Sequence, residues 1–356
     1  MDKNTRELTY AQAINEAIIT AMSADERVIC YGLGVPDPKG VFGTTAGLSE
    51  KFGTKRVFDV PTSENAFTGV GIGASMTGLL PIMTHQRLDF FLLAIDQLVN
   101  AAAKWHFMFG SQVSIPITIR LIIGRGWGQG PTHSQSLQSW FAHIPGLKVV
   151  MPSNARDAKG MMLSAIFDPN PVVFLEHRWL HNSKSLIPKD DYRVEIGSSE
   201  LLRSGNDITI VSSSIMTVEA LRASKYLSDC HGIDVDLIDA RSIKPFDWSK
   251  LFKSVSKTGR LLALDSGFSN CSFSSEICSR VASEMFNDLK SAPKKLGMPD
   301  QSEPTSFALT KGFHPGAKDI VEEVLTIFQI DDTKIEKSFI SPLKHDVPGE
   351  WFSGPF

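Results

Sequence analysis

Apolar residues along the chain fall into short unbroken runs, and the stretches between them carry helical spacing. Runs at 28–31, 57–60, 80–84, 117–123, 147–151 and 172–175 read as strands. Between them, 64–78, 90–107, 134–142 and 154–167 read as helices. Upstream, Thr9 is placed to cap a helix whose apolar positions are Tyr10, Ala13, Ile14, Ala17, Ile18 and Ala21. Near-continuous apolar strands alternating with helices predict a parallel sheet covered on both faces. Residues 181–200 are polar and contain proline, which predicts a linker. A second alternation follows, with strands at 208–211, 235–238 and 261–264 and helices near 216–227, 273–287 and 317–328. The expected fold is α/β: two three-layer α/β/α domains at 1–190 and 191–330, the second smaller, then an extended tail over 331–356.

One stretch, RVFDVPTSENAFTGVGIGASMTGLLPIMTHQRLD from Arg56 to Asp89, organises the rest. Two of its strands end close together in sequence. The first delivers Glu64 at a helix start; the second delivers His85, Gln86, Arg87 and Asp89, with Phe90 behind them. Ligands of open α/β sheets bind at the carboxyl ends of strands, so this stretch is expected to form one wall of a ligand site.

Composition narrows the possibilities. A length of 356 residues suits about two domains. The net charge of −3, without a long run of one sign, gives no case for nucleic acid or an anionic membrane. Cys30, Cys230, Cys271 and Cys278 form no CxxC pair, so neither zinc nor a disulfide framework is suggested. The first residues lack an apolar signal core, and no apolar run approaches the ~18 residues of a membrane span. A reducing, cytoplasmic setting is expected.

Several side chains can carry chemistry. Glu64 is either a solvated partner of a helix dipole or a partly buried acid available for proton transfer. Gly69, Gly71 and Ala74 fit G-x-G-x-x-A, but a dinucleotide site wants the glycines in the strand-to-helix turn. Here they are expected inside the helix, where small residues permit close packing. The segment GRGWGQGPTH, from Gly124 to His133, is a flexible, backbone-exposing loop without the Lys-Ser/Thr of a P-loop. His133, where the loop enters the next helix, is either a packing residue or a general acid/base. His85, Arg87 and Gln129 are candidate substrate contacts; His85 and Arg87 can equally form a structural ion pair with Asp89. Phe90 is either core or a ligand contact. His85, His133 and His143 lack metal-ligand spacing, and no G-x-S-x-G elbow appears.

Taken in order, FGTTAGLSEKFGTKRVFDVPTSENAFTGVGIGASMTGLLPIM, AIDQLVNAAAK, THSQSLQSWFAHIPGLKVVMPSNARDAKG, NPVVFLEH and VDLIDARSIKPFD form a specific set. The chain resembles the β-subunit of the first, thiamine-diphosphate-dependent component of 2-oxo acid dehydrogenase complexes, over about residues 7–328. It therefore also resembles the pyrimidine-binding and C-terminal domains of transketolase. The resemblance implies that Glu64 hydrogen-bonds the aminopyrimidine of thiamine diphosphate, favouring the imino tautomer that removes the thiazolium proton. The resulting carbanion attacks a 2-oxo acid or ketose carbonyl. It implies that Phe90 stacks on the pyrimidine and that His133 handles the substrate carboxylate or a proton.

The superfamily's diphosphate and magnesium motif, G-D-G with a downstream Asn, does not occur in this chain. The resemblance thus implies half a cofactor site. An α-type partner carrying that motif would hold Mg2+ and the diphosphate, in an α2β2 heterotetramer. Two departures are visible. Gly32-Leu33-Gly34-Val35 stands where the family has Gly-Glu-Asp-Val, and the polar run from His85 to Asp89 replaces an aromatic-rich one. The leading expectation is decarboxylation of a 2-oxo acid with transfer of the acyl or aldehyde unit. The alternative is a transketolase-like two-component carboligase using an aldehyde or sugar acceptor. A non-catalytic scaffolding subunit is a third reading.

Overall fold

The computed structural model describes residues 4–333, 335–339, 345 and 347. The chain divides into two compact units. One comprises the described residues up to Gly124 together with Trp140–Ile196; the other comprises Arg125–Ser139 and the described residues that follow Ile196.

In the first unit the strands are β1 (Thr5–Thr9), β2 (Val28–Tyr31), β3 (Val57–Phe58), β4 (Leu80–His85), β5 (Thr118–Ile123), β6 (Lys148–Val150), β7 (Val172–His177) and β8 (Lys184–Pro188). The sheet runs β6-β7-β5-β4-β2-β3, with every pair parallel. Every residue of β2, β4, β5 and β7 is buried, because helices cover both faces. The helices are α1 (Tyr10–Ala24), α2 (Leu48–Phe52), α3 (Glu64–Met76), α4 (Leu88–Phe91), α5 (Trp105–Met108), α6 (Gln138–His143) and α7 (Ala155–Ile166). Thr9 caps α1 in a complete capping box with Gln12, and α1 packs against α7.

Three expectations change. The expected helix over 90–107 is broken into α4, a 3-10 turn at Leu92–Ala94, a π-helical stretch at Gln97–Ala102 and α5. The helix expected from 134 begins at Gln138. The expected linker contains β8, which pairs antiparallel with β1 from Thr5↔Pro188 to Thr9↔Lys184. Both strands are only partly buried, so neither shows the apolar run of a core strand.

The second unit holds β9 (Glu200–Arg203), β10 (Ile208–Ser212), β11 (Val235–Asp239), β12 (Ser242–Lys244), β13 (Leu261–Phe268) and β14 (Lys294–Met298). Five of these form a sheet ordered β14-β13-β10-β11-β9, parallel except for the edge strand β9. Its helices are α8 (Ile215–His231), α9 (Trp248–Thr258), α10 (Phe273–Glu284), α11 (Phe307–Thr310), α12 (Ala317–Phe328) and α13 (Ile335–Ser338). Val211, Ile238, Leu251, Val255, Ile277 and Val281 belong to a core between sheet and helices. Of the expected extended tail, the described part includes α13, a single helical turn; residues 334, 340–344, 346 and 348–356 lie outside the described residues. Among the described residues no helix is long and apolar enough to cross a membrane.

Candidate active site

The carboxyl ends of β2, β3 and β4 surround a cleft of about 290 Å3, a volume that includes open solvent at its mouth. Leu33, Pro61, Thr62, Glu64, Phe67, Thr84, His85, Gln86 and Phe90 line it. The sequence explains the convergence. Pro61 ends the β3 segment, and Glu64 is the first residue of α3, near the positive end of that helix's dipole. On the other side β4 runs one residue further than its apolar pattern, so His85 closes the strand and Leu88 starts α4.

The cleft walls are braced from behind. Tyr31 at the end of β2 donates its hydroxyl to the Phe67 carbonyl at 3.1 Å and stacks on Phe58 at 5.5 Å. Asp59 accepts from the Gly34 amide at 3.0 Å, and Gln86 donates to the Leu33 carbonyl at 3.2 Å. The altered Gly32–Val35 loop is therefore tied to both neighbouring strand ends. Glu64 is half-buried and Phe90 is 38% exposed, which leaves both available to a ligand. His85 is buried, and burial pushes its imidazole down to about 3. The ring is neutral at any physiological pH.

Below the cleft lies an ion network that the sequence did not single out. Arg120 on β5 grips Glu176 on β7 through two hydrogen bonds of 2.6 and 2.9 Å and donates to Thr84 at 3.2 Å. Both charged side chains are wholly buried. Burial alone would raise the Glu176 carboxyl, but Arg120 holds it below the usual range. Glu176 lies in the NPVVFLEH segment, yet its burial was not legible without knowing that an arginine sits opposite on β5. Two further cations, Arg87 and Arg178, are buried beyond the ends of β4 and β7. The Arg178 guanidinium lies 4.4 Å from the Phe42 ring centroid, and burial together with the like charge of Arg87 lowers it to about 10.

The structure thus brings Glu64, His85 and Phe90 to one cleft, while Arg87 is outside its lining. Gln129 and His133 belong to the second unit, on the glycine-rich loop. There Trp127 has φ +57, and Gly130 has φ +67. A Cβ on Gly130 would fall 2.3 Å from Thr305 Oγ1, so the loop needs glycine at that point. His133 is exposed, with Nδ1 3.2 Å from Thr132 Oγ1. The glycines of the G-x-G-x-x-A match lie inside α3, as expected for packing residues: a Cβ on Gly71 would fall 1.9 Å from Tyr31 Oη. Among the described residues no group of three or more His, Cys, Asp or Glu side chains could hold a metal ion.

Comparison with known proteins bears on this geometry. The model of the transketolase pyrimidine-binding domain matches residues 6–183, and that of the transketolase C-terminal domain matches residues 197–320. The pyruvate dehydrogenase E1 component subunit beta of Rhizobium meliloti is 39% identical over 321 residues, 90% of this chain and 70% of that one. The mitochondrial pyruvate dehydrogenase E1 component subunit beta-1 of Arabidopsis thaliana is 38% identical, covering 89% of this chain and 88% of its own. The acetoin:2,6-dichlorophenolindophenol oxidoreductase subunit beta of Bacillus subtilis is 37% identical, covering 90% and 97%. Among solved structures, a split-gene transketolase described as an inactive beta4 tetramer superposes with a TM-score of 0.72 at 20% identity, covering 91% of this chain and 99% of that one.

Proposed function

We infer that this chain, which belongs to the transketolase-like family of E1 β-subunits, supplies the heterocycle-binding half of a thiamine-diphosphate site. The observation that carries the reading is the meeting of Glu64 and Phe90 in one cleft at the carboxyl ends of the strands. The residues fit the heterocycle: a half-buried carboxylate for a ring nitrogen and an exposed aromatic for a ring face. They do not fit the diphosphate, since G-D-G is missing from the chain. We assign the diphosphate and Mg2+ to an α-type subunit carrying G-D-G and its Asn, in an α2β2 assembly.

When bound, thiamine diphosphate supplies the carbon nucleophile and electron sink for decarboxylating a 2-oxo acid. The residues of this chain act around it. Glu64 hydrogen-bonds the pyrimidine and tunes its proton affinity. Phe90 fixes the plane of the ring, and Leu33, Pro61 and Phe67 exclude water beside it. We further propose that His133 handles the substrate carboxylate or a proton, and that His85, Arg87 and Gln129 are contacts to substrate. In the assembled enzyme the acyl or aldehyde unit left after loss of carbon dioxide would be handed to an acceptor.

A second reading is a two-component carboligase acting on an aldehyde or sugar. The departures at Leu33-Gly34 and along His85–Asp89, which replace the family's usual residues, are the observation that keeps it. Reconstitution with the α-type partner tests both. Assay with a 2-oxo acid and a dihydrolipoamide-linked acceptor is set against assay with aldehyde acceptors. Glu64→Gln should lower turnover by about 10²-fold or more in whichever assay is active, without loss of assembly. Full activity in Glu64→Gln would show that the chain serves only as a scaffold.

A further inference from the structure

His85, which lines the cleft, carries a buried polar atom that the fold does not satisfy. His85 is 5% exposed, and its Nε2 is buried without a hydrogen-bond partner among the described residues. A buried donor or acceptor left unpaired is destabilising, and folded proteins rarely retain one without a use. The ring is also held in place. It stacks on Phe67 at 5.3 Å with an interplanar angle of 27°, and Phe91 meets it edge-on at 5.0 Å and 69°. Phe67 is itself braced edge-on by Tyr31 at 6.2 Å. Thr84 and Gln86 flank His85 in the cleft lining, and Glu64 and Phe90 line the same space.

We propose that His85 is a cofactor-positioning residue, whose Nε2 hydrogen-bonds the heterocycle that docks against Glu64 and Phe90. The proposal rests on reading this cleft as the heterocycle's site, and it adds a contact to the carboxylate and the stacking ring. The chemistry of the ring suits the role. A neutral imidazole presents Nε2 as donor in one tautomer and acceptor in the other, so an exocyclic amine or a ring nitrogen can each satisfy it. Burial holds the ring neutral down to about pH 3, so no positive charge opposes a cofactor bearing a thiazolium cation. So weak a base does not carry protons at working pH, which separates His85 from the proton chemistry of Glu64 and His133. The aromatic clamp fixes the direction of the hydrogen bond, and a fixed partner orients a ring better than a mobile one.

The test is calorimetric titration of thiamine diphosphate with Mg2+ into the complete assembly with the α-type partner. His85→Phe keeps ring size and removes the polar atom. It should raise Kd about 3- to 10-fold, the worth of one hydrogen bond. His85→Gln offers an amide donor and acceptor and should restore most of the affinity, which a packing role would not predict. His85→Met serves as a second apolar variant if the phenylalanine fails to fold. Phe90→Ala reports on the cleft reading itself. If Phe90→Ala weakens binding and the apolar His85 variants do not, the inference about His85 is wrong and the cleft reading stands. If His85→Phe weakens binding but His85→Gln fails to rescue it, the ring acts by shape, and the inference is again wrong. If neither Phe90→Ala nor the His85 variants change Kd, the cleft reading itself fails.

Discussion

Glu64 and His85 show what one residue reveals about a site from sequence, and what it hides. The placement of Glu64 in a cleft wall was legible because it starts a helix soon after an apolar strand, at the carboxyl end of the sheet where α/β folds bind ligands. The direction of His85 was not. Among His85, Gln86 and Arg87, which side chains line the cleft is set by where β4 stops and α4 starts, and a polar run carries no periodic signal for that. The expectation that His85 and Arg87 act together divides accordingly: one lines the cleft, the other is buried outside its lining. The burial of His85 has a consequence for stability. The unfolded imidazole takes a proton near pH 6.5, while the folded one resists it down to about 3. Between those values the unfolded state binds one more proton, so stability is lost as pH falls, at about 1.4 kcal/mol per pH unit. His85→Phe lacks this loss. Urea unfolding of the isolated chain at pH 7 and pH 5 should show the stability difference moving by about 2 kcal/mol in favour of the variant at the lower pH. An unchanged difference would mean that the folded cleft admits the proton.

At the scale of elements, α3 carries the information that matters most. Its glycines match a dinucleotide fingerprint in spacing and contradict it in position, since they fall within Glu64–Met76 and not in the turn before it. Their surroundings differ sharply. A Cβ on Gly71 would sit 1.9 Å from Tyr31 Oη and 3.1 Å from Ile117 Cδ1, whereas a Cβ on Gly73 meets nothing within 4 Å. Gly71→Ala should therefore displace Tyr31 from its bond to the Phe67 carbonyl and destabilise the chain by about 1–3 kcal/mol. Gly73→Ala should stabilise the isolated chain by about 0.5–1 kcal/mol through helix propensity alone. Paired thermal melts check this, and equal shifts for the two variants would remove the packing account of α3. The elements that sequence missed share a physical cause. β1 and β8 are partly buried strands paired with each other, and β9 is an antiparallel edge, so none of them shows a buried apolar run. The broken segment after α4 failed in the opposite way. FFLLAIDQLVNAAAK is apolar enough to read as one helix, and nothing in its pattern marks where the chain turns 3-10 and then π-helical.

At the scale of the whole molecule, the strongest argument concerns what the chain cannot do alone. The family was legible because several segments in a fixed order are far more specific than any one of them, and the two family models then matched 6–183 and 197–320. The proposed division of the cofactor site rests on the absence of G-D-G from these 356 residues, a feature no single segment could have carried. Magnitudes turn this into a prediction. Stacking on Phe90 is worth about 0.5–1.5 kcal/mol, and a hydrogen bond to the Glu64 carboxylate about 1.5–3 kcal/mol. Their upper ends sum to about 4.5 kcal/mol, and the proposed His85 contact would add about 1 kcal/mol; set against the entropy of immobilising the cofactor, this leaves a Kd near 1 mM or weaker. A cofactor held so weakly would not survive purification. Micromolar retention needs about 4 kcal/mol more, which fits charge-assisted contacts to a diphosphate and its metal ion. The isolated chain should therefore bind thiamine diphosphate no tighter than about millimolar, with or without Mg2+, and gain about a thousandfold on addition of the α-type subunit. Equilibrium dialysis of the chain alone and of the reconstituted pair decides it. Micromolar binding by the chain alone would mean that it grips the diphosphate by a motif other than G-D-G, and the division of the site between two polypeptides would have to be abandoned.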